Sequence, residues 1–266
     1  MTDAPPPTPS ELAPRRRRVW PWVLAGVGVL LVGAGFAADA LARGLAERAI
    51  AEQVASALDV PRGTEVQASI GGGPVLVQAL TGRLDRVDVE VPRLVLGPLT
   101  GRLDIVAEGV PLDMNGPTRE LKVRYSAPED ALAALVPEIP GVAIDDVGID
   151  GPEVVVTGSI SVLGTPLALG VGLTPSAVDG DLALDPTSIR IGDQTFTADE
   201  ARQPSLFRGL VDALLQQRRV CIADALPAAL TLTELSVEGT HLVATFDGSG
   251  VALGGESFQQ KGVCAA

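Results

Sequence analysis

The carboxylates and the single histidine are the residues whose chemistry would make this chain an enzyme. Asp145-Asp146 and the Asp179/Asp181 pair offer the close carboxylates that acid–base catalysis uses. Both pairs stand among glycines and prolines, where carboxylates more often cap turns or face solvent. His241 has no Cys, Asp or Glu at the spacing of a metal site or a catalytic triad. We therefore predict no catalytic residue and no enzyme; a hydrolase or transferase using the scattered carboxylates is the weaker alternative.

Short motifs do not change this interpretation. The sequence contains no G-x-S-x-G elbow, H-E-x-x-H pair or P-loop. The glycine-rich stretch Gly71–Pro74 lacks the lysine and the following helix that cradle a phosphate, so we predict a turn there. Asp179-Gly180-Asp181 is too sparse in oxygen ligands to bind calcium. We expect no metal ion and no cofactor.

Two cysteines, Cys221 and Cys264, are the remaining reactive side chains. In an oxidising compartment they can pair, and closing this loop would stabilise the fold by about 4 kcal/mol in the chain-entropy model. Two buried free thiols are the alternative. We predict the disulfide, which would hold the C-terminal tail on the domain.

The compartment follows from the N-terminal segment. The uncharged run Val19–Ala38 would span roughly 30 Å as a helix, enough to cross a bilayer, and Arg15–Arg18 before it predict a cytoplasmic N-terminus. We predict a disordered, proline-rich cytoplasmic tail at residues 1–18, a transmembrane signal anchor at 19–38 and an extracytoplasmic (periplasmic) domain at 39–266. The protein would then be a single-pass cell-membrane protein.

A cleaved signal peptide is the alternative to this anchor. Ala38-Asp39-Ala40 and Ala40-Leu41-Ala42 both fit the small-x-small rule, and cleavage would release the domain into the same compartment. However, an amphipathic helical pattern continues without a break from about Asp39 to Leu58. That continuity favours the uncleaved anchor.

The charge balance narrows the range of partners. The net charge is −13, which argues against nucleic acid, because nucleic-acid binding depends on Lys and Arg that neutralise phosphates. The same balance argues against polybasic capture of anionic lipids. Lipid contact would instead bury apolar surface.

After residue 64 the sequence reads as short strands separated by Gly, Pro and Asp. Val87, Val89 and Val91 alternate with acidic residues, which predicts a half-buried strand. The pentapeptide Thr-Gly-Arg-Leu-Asp occurs at 81–85 and again at 100–104, which suggests a meander with a repeated hairpin geometry. Ser126 and Glu129 have the spacing of a capping box, which predicts a short helix with Ser126 as its N-cap.

The candidate lipid-binding residues come from one strand and one helix. Between positions 167 and 173, bulky side chains alternate with Ala and Gly, so one face of the strand is apolar and the other is nearly bare. After Pro204 an apolar stripe predicts an amphipathic helix at about 205–217. The alternative for the strand is a helix that packs closely against its glycines, and the alternative for the helix is burial of its stripe in the core. The predicted lipid-binding residues are Leu167, Leu169, Val171, Leu173, Leu206, Phe207, Leu210 and Leu214.

The whole pattern resembles a known family. The carrying segments are the Ala-rich helix of residues 36–51, the strand Gly82–Val89, and the run from Leu226-Pro227 to Leu242–Thr245. They resemble the LmeA family of actinobacterial envelope proteins, over roughly residues 36–254. These are phospholipid-binding proteins linked to the maturation of mannosylated glycolipids. The resemblance implies a cell-envelope location, a lipid ligand and a fold like that of tubular lipid-binding proteins.

We therefore predict an α+β fold, in which a curved antiparallel β-sheet packs around a long N-terminal helix preceded by a transmembrane helix. The predicted function is non-catalytic binding, with possible transfer, of a phospholipid or glycolipid in support of envelope glycolipid assembly. The alternative is an envelope scaffold for a membrane glycosyltransferase, without a lipid cavity.

Overall fold

The computed structural model describes residues 20–58, 60–61, 63–96, 99–135, 142–162, 165–192, 194–201 and 218–264. The chain divides into two compact units, residues 1–41 and 42–266. Residues 1–18 and Val19, and therefore the predicted cytoplasmic tail, lie outside the described residues.

The N-terminal helix α1 (Trp20–Ala57) is continuous. This confirms that the helical pattern of residues 39–58 extends the apolar run without a break. Several apolar side chains in the first unit are exposed, among them Leu30, Val32 and Phe36. Among the described residues, no helix meets the length and apolarity needed to cross a bilayer. The transmembrane anchor stays a prediction.

Strands are the main secondary structure in the described part of the second unit. In chain order they are β1 (Gln67–Gly71), β2 (Arg83–Leu96), β3 (Leu99–Pro111), β4 (Glu120–Pro128), β5 (Val142–Asp150), β6 (Glu153–Val162), β7 (Thr165–Val178), β8 (Asp181–Ile191), β9 (Gln194–Thr197), β10 (Arg218–Val220), β11 (Thr231–Glu238) and β12 (His241–Asp247). The further helices are α2 (Val75–Thr81), α3 (Glu129–Leu132), α4 (Ala198–Ala201) and α5 (Glu256–Gln259), with 3-10 turns at Ala133–Leu135 and Ala223–Ala225.

These strands form two open antiparallel sheets rather than the single curved sheet that we predicted. The first sheet has the order β1-β2-β3-β4-β12-β11, and the second has the order β10-β8-β7-β6-β5 with β9 paired to β8. The division has a topological cause. Strand β12 returns to pair with β4, so β4 has no free edge for β5, and the strands from β5 to β10 pair among themselves.

One aliphatic core joins both sheets to the C-terminal part of α1. Val87, Val89 and Val91 of β2 are buried, which confirms the alternation predicted for this strand. Val147 and Val154 of the second sheet belong to the same buried cluster. Helix α1 packs against it through Ala46, Ile50 and Val54, which have helical spacing, and Leu58 directly after the helix continues this contact. Full burial of a valine or leucine side chain, as at Val91 and Leu94, stabilises the fold by about 1.5–3 kcal/mol.

Helix α2 was not predicted, since the glycine turn at 71–74 was expected to lack a following helix. Its Gln78 is buried, and the side-chain amide donates to the carbonyl oxygens of Gly71 (3.1 Å) and Gly73 (2.8 Å). The side-chain carbonyl oxygen of Gln78, Oε1, accepts a hydrogen bond from the backbone N–H of Asp85 at 2.8 Å. One glutamine therefore ties the turn to β2 and holds the helix between them.

The predicted capping box at α3 is wrong. Ser126 lies inside β4, where it pairs with Arg102 of β3 and Val243 of β12. Pro128 is the N-cap residue and makes no side-chain capping bond, while Glu129 accepts a hydrogen bond from the backbone N–H of Ile149 at 2.9 Å. Pairing on both sides of β4 outweighs the local capping pattern.

The disulfide between Cys221 and Cys264 is confirmed. It closes a C-terminal segment that backbone hydrogen bonds also hold in place. The Gly262 N–H donates to the carbonyl oxygen of Leu226 at 3.0 Å, and the Ala228 N–H donates to that of Gln260 at 2.9 Å.

Candidate functional site

An open cleft of about 670 Å³ lies at one end of the first sheet. The β2–β3 hairpin, the end of β4, the start of β12 and α3 contribute its walls. These elements come from distant parts of the sequence, so the cleft exists only once the strands have paired. Its polar lining consists of Arg93, Thr100, Arg102, Ser126, Asp130 and His241.

A β-bulge places Arg93 in the cleft. The register between β2 and β3 shifts between Val91 and Leu94, so that β2 contains an extra residue at this point. Pro92 sits in the bulge, where its missing N–H breaks no ladder bond. Both Val91 and Leu94 stay buried in the core, while Arg93 is exposed on the cleft side.

Arg102 is the second cation of the cleft, and its charge is already compensated. Its guanidinium Nε lies 3.1 Å from an Asp104 carboxylate oxygen, and Arg102 also pairs with Glu90 of the neighbouring strand. The hydrogen bond to Asp104, followed by the Coulomb attraction of that carboxylate and by Glu90, raises the pKa of Arg102 above its ordinary value. Two carboxylates therefore hold this guanidinium.

Unlike Arg102, Arg93 and Asp130 have no oppositely charged side chain beside them among the described residues. Both side chains are exposed at the cleft. Within the part of the chain that the structure describes, neither side chain forms a hydrogen bond or an ion pair. The cleft thus offers one uncompensated cation and one uncompensated carboxylate, next to the hydroxyls of Thr100 and Ser126.

The floor of the cleft is closed by tight packing at Gly101. A Cβ atom at this position would lie 2.5 Å from the Ser126 carbonyl oxygen and 2.7 Å from the Tyr125 ring, so no larger residue fits. The Tyr125 hydroxyl donates weakly to the Leu94 carbonyl oxygen, at 3.4 Å. Burial raises the pKa of Tyr125 to about 12. Gly101 thus joins the lining of the cleft to the buried core.

The acidic pairs considered for catalysis lie outside the cleft. Asp179 occupies the β7–β8 turn with φ of 55°, and its carboxylate lies 3.7 Å from Arg219. Asp145 and Asp146 are exposed at an irregularity of β5. No cluster of three or more His, Cys, Asp or Glu side chains within the described residues could hold a metal ion.

The predicted lipid-binding residues that the structure describes lie on β7 and do not line the cleft. Leu169, Val171 and Leu173 are half-buried on one face of β7, and Leu169 packs beside Ile189 and Ala198. Of Leu167 only the backbone is described. The helix predicted at about 205–217 lies outside the described residues, so the grouping of the strand with the helix stays a prediction. Outside the described residues are Leu206, Phe207, Leu210 and Leu214.

Among the described residues, polar side chains of the neighbouring strands lie over the glycines on the reverse face of β7. A Cβ atom on Gly172 would lie 2.2 Å from the Ser188 hydroxyl and 2.3 Å from a Glu153 carboxylate oxygen. Ser188 and Thr187 both donate to this carboxylate, at 2.8 Å and 2.6 Å. The small residues of β7 therefore make room for a hydrogen-bond network between strands.

Leu169, Val171 and Leu173 do not line the cleft, and Arg93, Thr100, Arg102 and Asp130 of the cleft were not predicted as site residues. One signal was present, because Pro92 interrupts the alternation of β2 immediately before Arg93. Nothing in the sequence indicated that Asp130 would line the same cleft as Arg93, since their meeting at one cleft depends on strand pairing.

A family model, described as LmeA-like phospholipid-binding, matches residues 37–247. This range agrees with the extent of the resemblance noted from the sequence. Neither a curated protein nor a solved structure matches the chain significantly.

Proposed function

This chain belongs to the LmeA-like phospholipid-binding family, and from that premise we propose that it binds a phospholipid or glycolipid in the cell envelope without catalysis. The family match over residues 37–247 is the observation that carries the proposal. The family is a lipid-binding one rather than an enzyme family. Support of envelope glycolipid assembly, and transfer of lipid between sites, are the finer parts of the proposal.

The structural support is a division of polar and apolar surface. The cleft supplies a cation, a carboxylate and hydroxyls in one place, as a polar headgroup requires. Half-buried aliphatic side chains line one face of β7. We place the acyl chains on this face, against the helix predicted at about 205–217, because aliphatic side chains fit acyl chains through apolar burial alone.

Lipid extraction from the full purified chain tests the proposal. We expect mass spectrometry to identify a co-purified phospholipid or glycolipid that persists after detergent exchange. Failure of the purified chain to retain any lipid, together with failure to bind phosphatidylinositol or phosphatidylethanolamine, would overturn the function.

A tryptophan at Val171 separates lipid binding from the scaffold alternative. Val171→Trp fills the proposed acyl site, so a lipid-binding protein folds and loses its lipid, whereas a scaffold loses either folding or nothing. Leu80→Trp is the matched control, because Leu80 is 88% exposed on α2 and away from both sites. Full lipid retention by a folded Val171→Trp variant would contradict the proposed position of the acyl chains.

We further propose that the domain is extracytoplasmic and tethered by residues 19–38, with the N-terminus in the cytoplasm. The mass of the mature protein in its native membrane fraction tests the tether. An intact chain supports the anchor, and a chain beginning after Ala40 or Ala42 would show that the segment is a cleaved signal. A glycosyltransferase partner would be sought by cross-linking in the same membranes.

A further inference from the structure

We propose that the cleft at the end of the first sheet binds a lipid headgroup that contains a phosphate and, beyond it, an N–H or O–H donor. The inference rests on the proposed phospholipid binding and specifies which headgroups fit. Ethanolamine, inositol and glycerol headgroups satisfy this requirement, whereas choline does not, since its quaternary ammonium has neither kind of donor.

The phosphate position follows from the charges of the cleft. Arg102 is held by Asp104 and Glu90, so its charge is compensated before any ligand enters. Arg93 is exposed and has no partner among the described residues. A guanidinium presents paired N–H donors that match two oxygens of one phosphate. Arg93 therefore binds the phosphodiester, and the hydroxyls of Thr100 and Ser126 are additional donors in the same cleft.

The requirement for a donor follows from Asp130. An ionised carboxylate is only a hydrogen-bond acceptor, and Asp130 has no donor partner within the described part of the chain. A second phosphate oxygen near it would be repelled. An ammonium or a hydroxyl group would instead be attracted, so Asp130 selects what the phosphate is esterified to.

The surroundings suit a headgroup more than a whole lipid. A volume of about 670 Å³ lies within the usual range of small-molecule sites. Gly101 lines the cleft and packs closely against Ser126 and Tyr125. Val95, which lines the cleft, is half-exposed, and it offers an apolar surface to the glycerol end of the ligand.

Titration of the full chain with short-chain, monomeric phospholipids of defined headgroup tests this inference by native mass spectrometry. We expect phosphatidylethanolamine and phosphatidylinositol to bind the wild type at least about ten-fold more tightly than phosphatidylcholine. Asp130→Ala should reduce the first two affinities to about the level of phosphatidylcholine and change phosphatidylcholine far less, because a quaternary ammonium is attracted to the carboxylate by charge alone and donates no hydrogen bond. Arg93→Gln should weaken all three by about ten-fold, because the lost guanidinium contacts the shared phosphate.

Two exposed residues outside the cleft provide matched controls. Arg119→Gln and Asp145→Asn remove the same charges and should leave every affinity unchanged. Because Arg93 and Asp130 are themselves exposed, their variants should fold normally, which thermal unfolding verifies. Equal affinity for the three headgroups with no effect of Arg93→Gln would overturn the headgroup site alone. Absence of binding to every lipid would overturn the proposed function itself.

Discussion

Replacing Tyr125 with phenylalanine should make the stability of this protein less sensitive to alkaline pH. Tyr125 is the only tyrosine of the chain and is 5% exposed beneath the cleft floor. Its hydroxyl makes one weak hydrogen bond, 3.4 Å from the Leu94 carbonyl oxygen. Burial disfavours the charged tyrosinate and raises the pKa of Tyr125 from 10 to about 12.

The direction of the effect follows from proton linkage. Between about pH 10 and about pH 12 the unfolded chain has released the tyrosine proton and the folded chain still holds it. The stability that Tyr125 contributes is therefore complete below about pH 10 and is lost as the pH rises through about 12. Each unit of difference between the pKa of Tyr125 in the folded and in the unfolded chain corresponds to about 1.4 kcal/mol in the free energy of unfolding. The free energy of unfolding should fall by about 1.4 kcal/mol between about pH 8 and about pH 11 from this group.

Two measurements test this reasoning in the full chain. The near-ultraviolet absorbance of tyrosinate reports only Tyr125, and it should titrate near 12 in the folded protein and near 10 in concentrated urea. Urea denaturation at the two pH values should show the additional fall in the wild type and not in Tyr125→Phe. A folded-state pKa near 10, or an equal fall in both proteins, would refute the burial of this hydroxyl.

Two further predictions concern stability. Gly101→Ala should destabilise the domain by about 1–3 kcal/mol, because its Cβ would lie 2.5 Å from the Ser126 carbonyl oxygen. Gly82→Ala should lower the free energy of unfolding by about 1 kcal/mol, because Gly82 has a left-handed φ of 74° but open surroundings. If urea denaturation showed Gly82→Ala to be more destabilising than Gly101→Ala, the close packing at Gly101 would be contradicted. Replacing Cys221 and Cys264 with serine should lower the free energy of unfolding by about 4 kcal/mol, and an unchanged urea midpoint would show that backbone hydrogen bonds alone hold the tail.

Local patterns predicted much of the secondary structure correctly. The alternation at Val87, Val89 and Val91 placed β2 and its buried face, because a strand has one periodicity whatever its partner. The continuation of α1 beyond the apolar run could be predicted as well, because a helix also has a fixed periodicity. The capping pattern at Ser126 failed, since cross-strand pairing on both sides of β4 holds this residue in the sheet.

Local sequence patterns did not predict the residues of the cleft. Arg93 and Asp130 stand 37 positions apart in the sequence, and the pairing of β2, β3 and β4 brings their segments to one cleft. No spacing rule connects such residues. The division of the strands into two sheets could not be predicted from the sequence either, because it depends on the pairing of β12 with β4.

The repeated Thr-Gly-Arg-Leu-Asp segment shows what the local sequence determines and what depends on tertiary contacts. In both copies the sequence alone determined a strand over the Arg-Leu-Asp part, with Leu84 and Leu103 buried. The glycines differ, and with them the predicted repeat of hairpin geometry fails. Gly82 ends α2 in a left-handed conformation, whereas Gly101 is buried in β3 against Tyr125 and Ser126. Identical residues have identical local preferences, so only the surrounding tertiary contacts decided whether this glycine turns the chain or lets two strands and a tyrosine ring pack together under the cleft.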